Sequence, residues 1–145
     1  MKKAESILNL YREIIFCHYH LQAYGKKLGA ITPKGLAIWN LLISIQEDEN
    51  STIAKIAKKR SVSRQFIQKN IKTLVDDNLV KFIDNPLHKK SKLLKLTEKG
   101  SNVLTKINTD LLIETEKIAD DFTFDLNNLS KSIREMNKIL IHQIK

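Results

Sequence analysis

Ser51-Thr52-Ile53-Ala54-Lys55-Ile56-Ala57-Lys58-Lys59-Arg60-Ser61-Val62-Ser63-Arg64-Gln65-Phe66-Ile67-Gln68-Lys69-Asn70-Ile71-Lys72-Thr73-Leu74-Val75 contains seven Lys/Arg and no acidic residue. It divides at Arg60-Ser61-Val62. Before that point, Ile53, Ile56 and Ala57 form one apolar stripe, which predicts a short helix starting at Ser51 or Thr52. After it, Ser63 is placed to cap a second helix that runs to about Asp77, with Ile67, Ile71, Leu74 and Val75 on its buried face. Asn78 tolerates the left-handed conformation that ends a helix.

The pattern then changes period. Residues 79–84 and 92–96 read as two short strands. Between them lies Asn85-Pro86-Leu87-His88-Lys89-Lys90-Ser91, a turn-rich, basic connector. The order helix, turn, helix, strand, basic turn, strand is that of a winged helix-turn-helix. Charge supports the reading. Residues 51–100 hold 13 Lys/Arg against 4 Asp/Glu, a surplus of nine that equals the net charge of the whole chain. The two flanks are each balanced to within one charge. Segregation of this kind is an electrostatic footprint for a polyanion.

The flanks read as helices. Ile7, Leu8, Tyr11, Ile14 and Ile15 recur at helical spacing in a first helix from about Lys3 to Tyr24, with Gly25 as a natural stop. Thr32-Pro33 predicts the start of a second helix carrying Leu36, Ile38, Trp39, Leu42 and Ile43. Thr97 caps a long fifth helix, with Glu98 set favourably against its dipole and an apolar face from Val103 to Ile118 and Ala119. A sixth starts near Asp125 and carries Leu126, Leu129, Ile133, Met136, Leu140 and Ile144. The expected fold is therefore mainly α, with a two-stranded wing. A single domain spans 1–145: a reading core at 32–100, and helices at 1–31 and 101–145 that a two-fold dimer would bury.

In a helix-turn-helix the second helix enters the major groove. With Ile67 and Ile71 facing inward, the outward set is Arg64, Gln65, Gln68, Lys69 and Lys72, behind the capping Ser63. Arg can grip guanine with two bonds and Gln can do the same to adenine. Lys69 and Lys72 suit phosphate. Phe66 either packs against the preceding helix or touches a thymine methyl. At the connector, Lys89, Lys90 and Lys92 can reach the backbone or the minor groove, and Pro86 stiffens the approach. Lys55, Lys58, Lys59 and Arg60 either bind phosphate or sit in solvent. A solvated basic face is the plain alternative for each of these groups.

Residues from about Thr32 to Lys106 resemble the MarR family of bacterial winged-helix regulators. Val62-Ser63-Arg64-Gln65 through Leu74, then Asn78-Leu79-Val80-Lys81, is similar to the family's recognition helix and first strand. Asn85 to Ser91 resembles its wing, and Leu96-Thr97-Glu98-Lys99-Gly100 its next helix start. The resemblance implies a homodimer built by the first, fifth and sixth helices. It also implies a near-palindromic site, repression, and release by a small phenolic or by thiol oxidation. The chain departs from the family in the wing, where His88-Lys89-Lys90 replaces Asp followed by Arg-Arg. Lysine has no fork-shaped donor, so phosphate contact is expected there. Arg60 stands where the family has an apolar residue, and Asn78 where it commonly has glycine.

Candidate sensor residues are Tyr11, Cys17, His18, Tyr24 and Trp39. Cys17 is the only cysteine; it is either a redox thiol or a small buried hydrophobe. The aromatics either line an effector pocket or belong to the core. His18 and His20 diverge on a helix, so no metal is expected, and no cofactor either. A lone cysteine, no apolar run near the ~20 residues of a membrane span, and no apolar leader after Met1-Lys2-Lys3 suggest a cytoplasmic protein. There is no Gly-rich phosphate loop, HExxH or nucleophile elbow, so enzyme activity is not expected. The leading expectation is a sequence-specific regulator of double-stranded DNA. A low-specificity chromosome-associated protein and a winged-helix module for protein contacts are the alternatives.

Overall fold

The computed structural model describes residues 2–145. Its elements run α1 (Lys3–Lys27), α2 (Leu36–Glu47), α3 (Ile53–Arg60), α4 (Arg64–Asp76), β1 (Val80–Ile83), β2 (Leu93–Leu96), α5 (Glu98–Glu116), a single tight helical turn at Ala119–Asp121, and α6 (Leu126–Ile144). The two strands pair antiparallel, with Val80 opposite Leu96 and Ile83 opposite Leu93. This is the mainly α, winged helix-turn-helix architecture that the sequence predicts.

One core organises residues 36–104. Leu41, Leu42 and Ile45 of α2, Ile56 and Ala57 of α3, Ile67, Ile71 and Leu74 of α4, Val80 and Leu94 of the strands, and Leu104 of α5 are buried together. The i, i+4, i+7 spacing in α4 explains why that helix has a single inner stripe. A second cluster of Leu28, Ile107 and Leu111, joined by Tyr24 and Trp39, ties the end of α1 to α5.

Three boundaries differ from the sequence reading. Gly25 does not stop α1, which continues to Lys27. Gly25 is buried, and Leu36 packs so closely that a Cβ would sit 3.2 Å from its Cγ. Its φ is not positive, so no left-handed turn marks a stop here. Nor do Thr32 and Pro33 start α2. Thr32 is buried and its hydroxyl donates to the Leu28 carbonyl at 3.2 Å, so it closes the end of α1. Gly35, at φ 83°, makes the turn into α2. The fifth helix also ends earlier than Ile118, at Glu116.

The outer helices are apolar and uncovered. On α1, Leu8, Ile15, Phe16 and Tyr19 are exposed; on α6, Leu126, Leu129, Ile133, Ile139 and Ile144 are too. Among the described residues α6 has none buried. No helix among them is long and apolar enough to cross a membrane.

Candidate nucleic-acid interface

The reading head is built by local hydrogen bonds. Thr52 caps α3, its hydroxyl oxygen accepting the Lys55 N–H at 3.1 Å. Ser61 adopts φ 54° and turns the chain. Ser63 then caps α4, its Oγ accepting the Phe66 N–H at 3.1 Å. With Ile67, Ile71 and Leu74 inward, Arg64, Gln65, Gln68, Lys69 and Lys72 are all exposed on one continuous outer face. Among the described residues no carboxylate pairs with Arg64 or Lys69, while Lys72 is held by Asp76 at 2.8 Å. A phosphate would compete with Asp76 for Lys72, and would meet Lys69 free of such a rival. Phe66 is exposed on this face and does not join the core.

The wing is two tight turns. The Asn85 side chain donates to the Ser91 carbonyl at 2.8 Å and accepts the Leu87 N–H at 3.1 Å. His88 N–H donates to the Asn85 carbonyl and Ser91 N–H to the His88 carbonyl. Asn85 thus braces a loop that has no acidic residue of its own to pair with its lysines. Lys89, Lys90 and Lys92 are exposed along it, and Leu87 stands out at 88% exposure.

The basic residues at the front of the head part ways. Lys55 pairs with Asp48 at 2.7 Å. That ammonium and the Asn50 backbone N–H hold the Asp48 carboxyl below its usual value. Arg60 turns back from solvent. Its Nη2 donates to Asn40 Oδ1 at 2.8 Å and to Ser44 Oγ at 3.1 Å on α2. Burial lowers its pKa, and it remains a cation. Charge alone could not separate these roles; the signal available in sequence was only that Asn40 and Ser44 lie one helical turn apart on α2.

The far end of α4 is fastened to α5 and to the segment before α2. Asp77 pairs with Lys34 at 2.6 Å, and its carbonyl accepts the Lys99 ammonium at 3.0 Å. Asn78 takes φ 58°, as expected of the residue that ends α4. Its carbonyl accepts the Thr97 hydroxyl at 2.6 Å, and the Thr97 N–H donates to the Leu79 carbonyl at 3.0 Å.

Of the candidate sensor residues, His18 and Trp39 line one groove of about 940 Å³ between α1 and α2, together with Lys26, Asn40 and Arg60. Trp39 also donates to Asn108 Oδ1 at 2.7 Å. Tyr24 packs instead in the Leu28 cluster. Tyr11 and Cys17 are exposed on α1, outside the groove; Cys17 is not the buried hydrophobe that a lone apolar-helix cysteine suggests. A smaller apolar cavity of about 250 Å³, lined by Ile38, Trp39, Leu79 and Val103, lies next to Lys34, Asp77 and Lys99. Among the described residues no group of His, Cys, Asp and Glu could hold a metal.

Residues 34–111 match the family of ArnR1-like winged-helix domains. An uncharacterised protein of Mycobacterium tuberculosis is 30% identical over 117 residues, which cover 81% of each chain. An uncharacterised HTH-type transcriptional regulator of Staphylococcus aureus is 23% identical over 106 residues, 73% of this chain and 71% of that one. Among solved structures, the chain is similar to the transcriptional regulator BldR of Sulfolobus solfataricus, with a TM-score of 0.75 at 21% identity over 97% of this chain and 98% of that one. It is also similar to a mutant MarR of E. coli complexed with operator DNA, with a TM-score of 0.71 at 18% identity over 97% and 99%. At these identities the structural likeness establishes the fold.

Proposed function

This chain belongs to the ArnR1-like winged-helix family, and from that premise we propose that it is a DNA-binding transcription regulator that works as a cytoplasmic homodimeric repressor. Residues 32–100 form the reading core, and residues 1–31 and 101–145 supply the dimerisation helices. In this reading α4 lies in the major groove. Arg64, Gln65 and Gln68 meet base edges there, and Lys69 and Lys72 meet phosphate. Lys89, Lys90 and Lys92 of the wing neutralise the backbone beside it. Two such heads, related by the dimer two-fold, read a near-palindromic operator. A small molecule in the groove lined by His18 and Trp39 serves as effector.

The observation that carries this reading is one exposed face of α4 on which Arg64 and Lys69 have no carboxylate partner among the described residues. Such cations sit where a duplex phosphate or guanine can take them without displacing a protein group. The uncovered apolar faces of α1 and α6 support the dimer, since surfaces of that kind mark interfaces.

Selection of bound duplexes from a random pool tests the proposal, followed by the ratio of selected to random affinity at fixed salt. A ratio of about 10³ or more with half-sites one helical turn apart is expected. A Lys-rich wing without a guanidinium fork favours a second reading, low-specificity chromosome binding, which a ratio near one would support. No duplex binding at low ionic strength would refute both and leave a protein-contact module. Sedimentation of the free protein should give the mass of two chains.

A further inference from the structure

We propose that Phe66 is a specificity-determining residue that recognises the 5-methyl group of a thymine in the major groove. The inference rests on α4 entering that groove, as proposed above, and adds an apolar contact to its polar readers.

Phe66 sits in the first turn of α4, where its own backbone N–H is held by Ser63. The ring therefore projects from an ordered point. Folding makes little use of it, because Ile67, Ile71 and Leu74 fill the inner stripe and Phe66 remains 55% exposed. Elsewhere on residues 51–79, the only other exposed large hydrophobic is Val62, at 38%. On a helix, three residues of separation is about 60° of azimuth, so the ring stands beside Lys69 on the outer surface.

An uncovered ring there has a specific chemical consequence. It offers no hydrogen-bond donor to phosphate or to a base edge, and it would dilute a face meant only for the backbone. The group displayed in the major groove that an apolar ring suits is the thymine methyl. Phe66 thus adds a preference that Arg64, Gln65 and Gln68 cannot express, since their side chains discriminate by hydrogen bonds.

The test uses the full chain and a duplex that it selects from a random pool. Each thymine is replaced in turn by deoxyuridine, which removes the methyl and nothing else. Binding by the wild type should weaken about fourfold at one thymine per half-site, the effect of one lost methyl contact. Phe66→Ala should bind the original duplex more weakly by at least that factor and be indifferent to the replacement, while Phe66→Leu keeps most of the sensitivity. Circular dichroism melting verifies that each variant is folded. If no thymine is sensitive in the wild type, or if Phe66→Ala stays equally sensitive, the inference is wrong while the regulator reading stands. If the wild type binds no duplex, the regulator reading itself has failed, and this inference with it.

Discussion

Two helical glycines should respond in opposite ways to the same substitution. Gly100 lies in the first turn of α5, where a Cβ would come within 2.8 Å of the Leu79 carbonyl carbon and overlap its oxygen. That carbonyl cannot swing aside freely, because it accepts the Thr97 N–H at 3.0 Å. Gly100→Ala must therefore push the start of α5 away from the strand entry. Overpacking of this kind costs about 1–3 kcal/mol and the weakened backbone bond about 1 more, against about 1 gained from helix propensity. The net is a loss of about 1–3 kcal/mol, or roughly 3–10 °C in Tm for a chain of this size. At Gly25, in α1, the close contacts of a Cβ would be Leu36 side-chain carbons at 3.2 and 3.3 Å, with the Leu36 backbone nitrogen at an ordinary 3.7 Å. Leu36 can yield by a few tenths of an ångström, so Gly25→Ala should be neutral or stabilising by up to about 1 kcal/mol. Thermal melts of both variants at one fixed protein concentration decide the matter, since the stability of the proposed dimer would depend on concentration. A Gly100→Ala protein that melts with the wild type, or one no less stable than Gly25→Ala, would refute the reasoning.

Arg64→Ala should cost about 1–3 kcal/mol on the selected duplex and relax base preference at one position per half-site; equal weakening on all sequences would remove Arg64 from the base readers. Lys89→Ala should weaken binding to every duplex and reduce the salt slope by about one unit per head; an unchanged slope would detach the wing lysine from the backbone. Asp48→Asn should lower Tm slightly at neutral pH. The carboxyl is depressed below 3.8 by Lys55 and Asn50, so its contribution exists above that value and fades as pH falls through the lower folded pKa. Melts of the two proteins should converge in acid, and added salt should shrink the gap, because the pair is solvent-exposed; a gap constant with pH would contradict this account.

The winged core was legible because its signals are local. Ser63, Asn78 and Thr97 each declare a helix end through chemistry that depends on no distant residue, and the structure uses all three in that way. The exposed face of α4 was legible by subtraction: with Ile67 and Ile71 inward, Arg64, Gln65, Gln68, Lys69 and Lys72 face out. What failed was punctuation with two meanings. Gly25 reads as a stop, yet it lies inside α1, with Leu36 packed beside it. Thr32-Pro33 reads as a helix start, yet the Thr32 hydroxyl serves the helix behind it. Arg60 could not be resolved from sequence, because its acceptors Asn40 and Ser44 come from another element. The same holds for the wing, where Asn85 supplies by two hydrogen bonds a brace for which the sequence offers no charged pair.

The fastening of Asp77, Asn78 and Leu79 to Lys34, Lys99 and Thr97 leaves no joint behind the recognition helix. In the proposed dimer, the gauge between the two heads is then set by the angle of the α5 struts. An effector that tilts those struts even slightly would change the span presented to the duplex. Neither head could compensate by swivelling, so the protein would lose its grip on both half-sites together.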